Sequence, residues 1–84
     1  MTLPPSTAPA PRPATDGRRA AASRLRAHAA ALRSHAQRLR ASAAAVRWSG
    51  PEATAFRQEV EQLAGRCSVA AQALTHSATR LDPS

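Results

Sequence analysis

Two alanine-rich stretches with a repeating apolar pattern flank a short helix-breaking segment, and this arrangement constrains the fold more than any other feature. In the first stretch, large aliphatic residues recur every seven positions: Leu25, Leu32, Leu39 and Val46. An alanine lies three positions before each of them. This a/d spacing is typical of a helix that packs along a narrow seam. The pattern predicts a helix over residues 17–47, with Asp16 as its N-cap.

The second stretch alternates steps of four and three residues, which also predicts a helix, over residues 51–81. We expect the following series to face the neighbouring helix: Phe56, Val60, Leu63, Cys67, Ala70, Leu74, Ser77 and Leu81. Ala64, Ala71 and Ala78 would widen the apolar strip along one flank. The predicted hairpin or dimer seam consists of Leu25, Leu32, Leu39, Val46, Val60, Leu63, Cys67, Leu74 and Leu81.

The segment between the helices predicts a chain reversal. Gly50 can adopt the left-handed conformation that closes a helix, and Pro51 suits a first helical turn because its missing N–H costs nothing there. Trp48, in the last turn of the first helix, would pack against Phe56. Two helices of equal length joined by a short turn fold back on each other. The predicted fold is therefore all-α, an antiparallel two-helix hairpin with the turn at residues 48–50.

Length and composition limit what this hairpin can do alone. The 84 residues make one small domain at most, with residues 16–82 as the hairpin and the proline-rich residues 1–15 as a disordered tail. Large apolar residues are few: seven Leu, three Val, and one each of Trp, Phe and Met. Because such a chain buries little apolar surface, we expect it to need a partner.

The charge is strongly positive, at +7, and all twelve cations are arginine. Five arginines follow the Leu/Val layer at seven-residue intervals and are predicted to be a charge-selecting flank: Arg19, Arg26, Arg33, Arg40 and Arg47. Folding at Gly50 would place Glu52 near Arg47 and Glu59 near Arg40. The remaining arginines favour an acidic partner helix. Nucleic acid is the less favoured partner, because the chain lacks interleaved aromatic residues and a known nucleic-acid-binding motif.

No catalytic, metal-binding or cofactor-binding site is predicted. His28 and His35 lie seven residues apart, whereas metal ligands on one helix usually lie three or four apart. Cys67 lies in the predicted seam and is interpreted as a small buried hydrophobe. No nucleophile has a base at helical spacing, and no glycine-rich phosphate loop is present, so an enzyme is not expected. No apolar run approaches the ~20 residues that cross a bilayer, and the N-terminus does not resemble a secretory signal peptide.

A Trp-x-Gly turn, Trp48-Ser49-Gly50, at the midpoint of two matched heptad helices resembles the WXG100 family, which is associated with type VII secretion in actinobacteria and firmicutes. The resemblance covers residues 17–82. It implies that the hairpin pairs into a four-helix-bundle dimer, with Trp48 forming part of a surface recognised by the export ATPase. The family's export signal, Tyr-x-x-x-Asp/Glu after the second helix, is missing, since the chain contains no tyrosine.

The sequence therefore favours a substrate, cargo-pairing partner or adaptor of a type VII secretion system. The implied partner is an acidic WXG100-like protein or a larger secreted cargo, with a homodimer left open. The implied location is the cytoplasm before export, with secretion independent of a signal peptide. Two alternatives come from other classes: a small basic nucleic-acid-binding protein, and a structural coiled-coil module with no secretory role.

Overall fold

The chain forms two long α-helices that lie side by side. The computed structural model describes residues 13–47 and 49–83. Helix α1 spans Pro13–Ala45 and helix α2 spans Pro51–Leu81. The described residues contain no β-strand, so the predicted all-α class with two helices is confirmed. Within them, neither helix has an apolar stretch long enough to cross a membrane.

The two helices run antiparallel. In the N-terminal half of α1, Arg26 Nη1 lies 3.7 Å from Asp82 Oδ2, just beyond the end of α2. At the other end, Arg57 in α2 lies close to the residue that follows α1, because its Nη2 is 3.1 Å from the carbonyl oxygen of Val46. The N-terminal half of each helix thus lies beside the C-terminal end of the other, as in an antiparallel pair.

Helix α1 begins earlier than the sequence predicted. Its first residue is Pro13, so residues 13–15 belong to the helix and not to the tail. Proline is well tolerated at the first position of a helix because its missing N–H has no intrahelical acceptor there. Asp16 consequently lies in the first turn and is not the N-cap, although its charge still favours the positive end of the helix dipole. Residues 1–12 of the predicted tail lie outside the described residues.

The connection between the helices is longer than the predicted turn. Helix α1 ends at Ala45, and the Val46 N–H donates to the carbonyl oxygen of Ala43 at 3.2 Å. Gly50 does not close α1; it is the N-cap of α2, with φ 104° and ψ 179°. Only glycine adopts this combination without steric cost. Pro51 follows as the first residue of α2, and the Thr54 N–H donates to the Gly50 carbonyl oxygen at 3.0 Å.

The interface between the helices is built from alanine. Eight alanines are buried, and no side chain larger than alanine is fully buried in the described part of the chain. They are Ala22, Ala29, Ala36 and Ala43 in α1, and Ala53, Ala64, Ala71 and Ala78 in α2. Small side chains allow two helices to approach to the lower end of the usual range, about 8 Å between axes.

The packing corrects the predicted face of α2. Ala64, Ala71 and Ala78 form the buried centre of the interface, not its flank. Leu63, one position before Ala64, is 45% exposed. Because adjacent helical residues are rotated by about 100°, choosing Leu63 or Ala64 as the centre turns the helix by more than a quarter of a revolution. The apolar pattern fits both rotations, and the structure selects the one with the smaller side chains inside.

An alanine interface stabilises the hairpin only weakly. Burying a methyl group contributes about 0.8 kcal/mol, whereas burying a leucine or valine side chain contributes about 1.5–3 kcal/mol. Among the described residues, the larger apolar side chains lie beside the alanines or farther out, and none of them is fully buried. Much of the apolar surface therefore remains available for contacts outside the hairpin.

Candidate functional site

The alanine interface leaves two long edges where the helices meet solvent, and they differ in chemistry. One edge carries charged and hydroxyl side chains, and we call it the polar edge. It consists of Arg19, Arg26, Arg33 and Arg40 from α1, and Glu61, Ser68, Thr75 and Asp82 from α2 and its C-cap. Both sets repeat every seven residues, so each forms a nearly straight row along its helix.

Arginines on the polar edge reach across to the other helix. Arg33 Nη2 donates to Thr75 Oγ1 at 3.0 Å. Arg40 holds the Glu61 carboxylate with both Nε and Nη2, at distances of 3.0 to 3.1 Å. Such a fork-like arrangement is the strongest geometry for an arginine–carboxylate pair. From Arg26 to Arg40, the predicted arginine flank therefore contacts α2 and its C-cap within the same hairpin.

The Arg40–Glu61 contact changes the titration of its two members. The hydrogen bond from Arg40, with a smaller Coulombic contribution, lowers the pKa of Glu61 below its ordinary value. The same hydrogen bond raises the pKa of Arg40. Both side chains are exposed, at 43% and 63%, so water and salt weaken this pair.

The predicted ion pairs were wrong in register. Arg40 binds Glu61 and not Glu59, and Arg47 and Glu52 form no ion pair in the described chain. Helical residues two positions apart point about 200° away from each other, so Glu59 points toward the opposite edge from Glu61. The shift also reflects the connection, since α1 ends at Ala45 and Arg47 no longer belongs to a helix.

Two arginines cap the end of the opposite helix. Arg57 donates to the Val46 carbonyl oxygen at the end of α1, and Arg26 donates to the Asp82 carbonyl oxygen at the end of α2 at 2.6 Å. The last carbonyl groups of a helix lack intrahelical donors and carry partial negative charge. Each helix thus supplies a cation to the C-terminus of the other, which explains part of the arginine excess without a partner.

The other edge is lined by large apolar side chains, and we call it the apolar edge. It consists of Leu25, Leu32 and Leu39 from α1, Val46 from the connection, and Phe56, Leu63, Leu74 and Leu81 from α2. The α1 leucines, Val46 and Leu74 are half-buried. Leu63 is 45% exposed, Leu81 is 37% exposed and Phe56 is 36% exposed. Together these residues form an apolar strip that the hairpin itself covers only in part.

The remaining residues of the predicted seam, Val60 and Cys67, lie in the same heptad row as Leu74 and Leu81, along the apolar edge. Val60 and Cys67 are half-buried, so Cys67 is less enclosed than the sequence suggested. Val69 is the most exposed large apolar residue, at 66%, but it faces the opposite side of α2 from the buried alanines. It therefore stands apart from the apolar edge.

Part of the predicted turn motif can be placed. Gly50 caps α2, as described above, and Phe56 lies one turn into α2 on the apolar edge. Trp48 lies outside the described residues, so its predicted packing against Phe56 stays a prediction.

The histidines do not form a cluster. His28, His35 and His76 are all exposed. In the described chain no group of three histidine, cysteine, aspartate or glutamate side chains could hold a metal ion. His28 and His35 lie on the outer side of the apolar edge, two turns apart.

Sequence reasoning missed the row of polar residues in α2. Glu61, Ser68, Thr75 and Asp82 recur every seven residues, in the same period as the arginines. A search for matching heptads of any chemistry, not only apolar ones, would have found them. The row decides which edge of α2 faces the arginines and consequently which edge is left apolar.

Comparison with known proteins gave no match: no family model, curated protein or solved structure corresponds to this chain.

Proposed function

We propose that this protein is a WXG100-like pairing hairpin that associates with a second helical hairpin through its apolar edge and serves a type VII secretion system. The partner would be an acidic protein of the same architecture or a secreted cargo with such a hairpin. The Trp48-Ser49-Gly50 sequence at the connection and the two helices of similar length support this assignment.

The apolar edge is the observation that carries the proposal. Large apolar side chains could have filled the space between the helices, but alanines lie there and the leucines lie beside them. Monomeric proteins rarely expose a long contiguous apolar strip, and such strips usually mark a protein interface. A second hairpin laid along this edge would cover the strip and complete a four-helix core.

Charge favours an acidic partner over a second copy. Two copies would bring a charge of +7 each into one bundle, and like charges oppose association. Arg24 and Arg38 are exposed on the outer part of α1, where an acidic partner or its neighbour could approach. A homodimer is the alternative outcome that a measurement of mass would reveal.

Pairing would also solve the problem of the missing export signal. The chain has no tyrosine and so no Tyr-x-x-x-Asp/Glu sequence of its own. A partner carrying that sequence would supply it to the complex. In this scheme the protein is an adaptor, and Trp48 contributes the recognition surface at the turn.

The pairing is tested by placing a charge on each of two exposed α2 positions. Leu63→Asp puts a carboxylate on the apolar edge, and Val69→Asp puts the same group on the outer face of α2. We co-express each variant with the proteins encoded by the adjacent open reading frames and measure the mass of the purified complex by light scattering. Leu63→Asp should abolish the complex and Val69→Asp should leave it intact. An intact complex with Leu63→Asp would show that the apolar edge is not the interface.

The secretory role requires a separate measurement. Export of the complex is compared in a host with an intact type VII ATPase and in one lacking it, using wild type and Trp48→Ala. We expect export to need the ATPase and to fall with Trp48→Ala while the complex still forms. Normal pairing without ATPase-dependent export would instead favour a structural coiled-coil module.

A further inference from the structure

The polar edge is available for a second contact that is independent of pairing. It lies on the opposite side of the hairpin from the apolar edge, so a hairpin covering the leucines would leave it open. Its cations outnumber its acids, since Arg19, Arg26, Arg33 and Arg40 stand against the carboxylates of Glu61 and Asp82. The charge of this edge therefore survives dimerisation.

The uncompensated charge belongs to the half of the edge away from the connection. Glu61 is bound by Arg40, and Asp82 is bound by Arg26. Arg33 contacts only the neutral hydroxyl group of Thr75 among the described residues, and Arg19 is exposed without a hydrogen bond or ion pair there. All three glutamates of the chain lie in the first eleven residues of α2, next to the connection. In the distal half Asp82 pairs with Arg26 and Asp16 lies one turn before Arg19, so Arg33 is the arginine of this half with no carboxylate close by on either helix.

The side chains around these arginines are small or polar. Ser68 and Thr75 occupy the facing row of α2, with Gln72 and Thr79 one turn away, and no large apolar side chain lies on this edge. The anchors of a protein interface are usually tryptophan, tyrosine and arginine side chains, and of these the polar edge offers arginine but no aromatic residue. Contacts to a nucleic-acid backbone need arginine, hydroxyl and amide donors and require no apolar anchor.

We propose that the polar edge binds the phosphate backbone of nucleic acid without base specificity. The sequence disfavoured such a partner because aromatic residues and a recognised motif are absent. Those features serve base stacking and sequence readout, however, and backbone binding uses neither. Arg19 and Arg40 are 21 positions apart, about 32 Å along a helix. At 3.4 Å per nucleotide step, this length corresponds to roughly nine base pairs of duplex.

The test uses two double variants of equal charge. Arg19→Gln with Arg33→Gln neutralises the polar edge. Arg24→Gln with Arg38→Gln removes the same charge from other faces of α1 and is the matched control. Binding of the full chain to a fluorescein-labelled 16-base-pair DNA duplex is measured by anisotropy between 50 and 300 mM KCl. Circular dichroism checks that each variant keeps its helicity.

We expect the polar-edge variant to bind at least about fivefold more weakly than the control, with a salt slope smaller in magnitude by about two, because two phosphate contacts are lost. Equal weakening by both double variants would overturn the proposal, since it would show attraction to net charge alone. Failure of wild type to bind the duplex at 50 mM KCl would do the same. If the polar-edge variant lost helicity, Arg19→Gln alone would serve, because Arg19 makes no hydrogen bond in the described chain.

A competition experiment separates phosphate from acidic protein. Unlabelled duplex and poly-L-glutamate are compared as competitors at equal concentrations of charge. Duplex should displace the probe at lower concentration, since DNA carries one charge per about 1.7 Å of helix axis and releases its condensed counterions on binding. Equal or better competition by poly-L-glutamate would assign the polar edge to an acidic protein and contradict the proposal. Neither result bears on pairing, which the Leu63 and Val69 variants test.

Discussion

Arg57 in α2 donates from Nη2 to the carbonyl oxygen of Val46, 3.1 Å away and just past the end of α1. This contact has a counterpart at the far end of the hairpin, where Arg26 binds the carbonyl oxygen of Asp82. Helix α1 has no basic residue in its own last turn. The guanidinium of Arg57 supplies the positive charge that the end of α1 lacks, and so ties the two helices together at the connection.

Removing either capping arginine should weaken the hairpin. We expect Arg57→Ala and Arg26→Ala each to lower the free energy of unfolding by about 1 kcal/mol, because a charged donor to terminal carbonyl groups is lost. Urea denaturation followed by circular dichroism at a fixed protein concentration measures the change. Arg66→Ala is the control, since Arg66 is exposed on the outer part of α2. A loss as large for Arg66→Ala would mean that the caps contribute nothing specific.

The closeness of the helices can be tested by enlarging one buried alanine. Ala36 is 1% exposed, and a leucine there has no room unless the helices move apart. We expect Ala36→Leu to destabilise the hairpin by about 1–3 kcal/mol. Ala31→Leu, at an exposed position of the same helix, should be nearly neutral because both residues are good helix formers. Thermal denaturation gives the melting temperatures of Ala36→Leu and Ala31→Leu for comparison. A higher melting temperature for Ala36→Leu would contradict an interface formed by close contact of alanines.

The conformation of Gly50 predicts a cost for any side chain at that position. An added Cβ would meet no atom within 4 Å, so the cost comes from φ +104° alone. Gly50→Ala should lower stability by about 1–3 kcal/mol. Gly65 lies inside α2, also with open space around an added Cβ, and Gly65→Ala should raise stability by about 1 kcal/mol. The denaturation midpoints of the two variants should therefore shift in opposite directions. A neutral or stabilising effect of Gly50→Ala would show that the connection does not need a positive φ at this residue.

The Arg40–Glu61 pair predicts a pH dependence with a defined sign. The pKa of Glu61 is lowered in the folded chain, so the pair stabilises the hairpin above the unfolded-state pKa. That stabilisation disappears as the pH falls through the lowered pKa. Arg40→Gln should raise the pKa of Glu61 toward its ordinary value, as measured by NMR titration of the carboxyl carbon. It should also reduce the loss of stability on acidification. An unchanged pKa of Glu61 in Arg40→Gln would contradict the contact.

The sequence was sufficient for the helices but not for their rotation and register. Period and helix-forming composition set the two helices, because these are local properties. Which side of α2 faced α1 was not local: Leu63 and Ala64 fit the apolar pattern equally well, and close packing favoured Ala64. The choice of Glu61 over Glu59 followed from that rotation. The caps by Arg26 and Arg57 depended on where each helix ended, and helix ends are poorly fixed by pattern alone.

An interior made only of methyl groups has a consequence for alignment. Ala22, Ala29, Ala36 and Ala43 repeat every seven residues, as do Ala64, Ala71 and Ala78, so sliding one helix by a heptad would still set alanine opposite alanine along much of the length. Uniform interiors distinguish such offsets poorly. The arginine row and its acceptors share this period, so the contact that marks the offset is the one from Arg57 to the carbonyl oxygen of Val46. The residues seven positions before and after Arg57 are Gly50 and Ala64, and neither could replace it. In this molecule a contact made by one long side chain fixes the alignment of the two helices, and the alanine interior supplies only close packing.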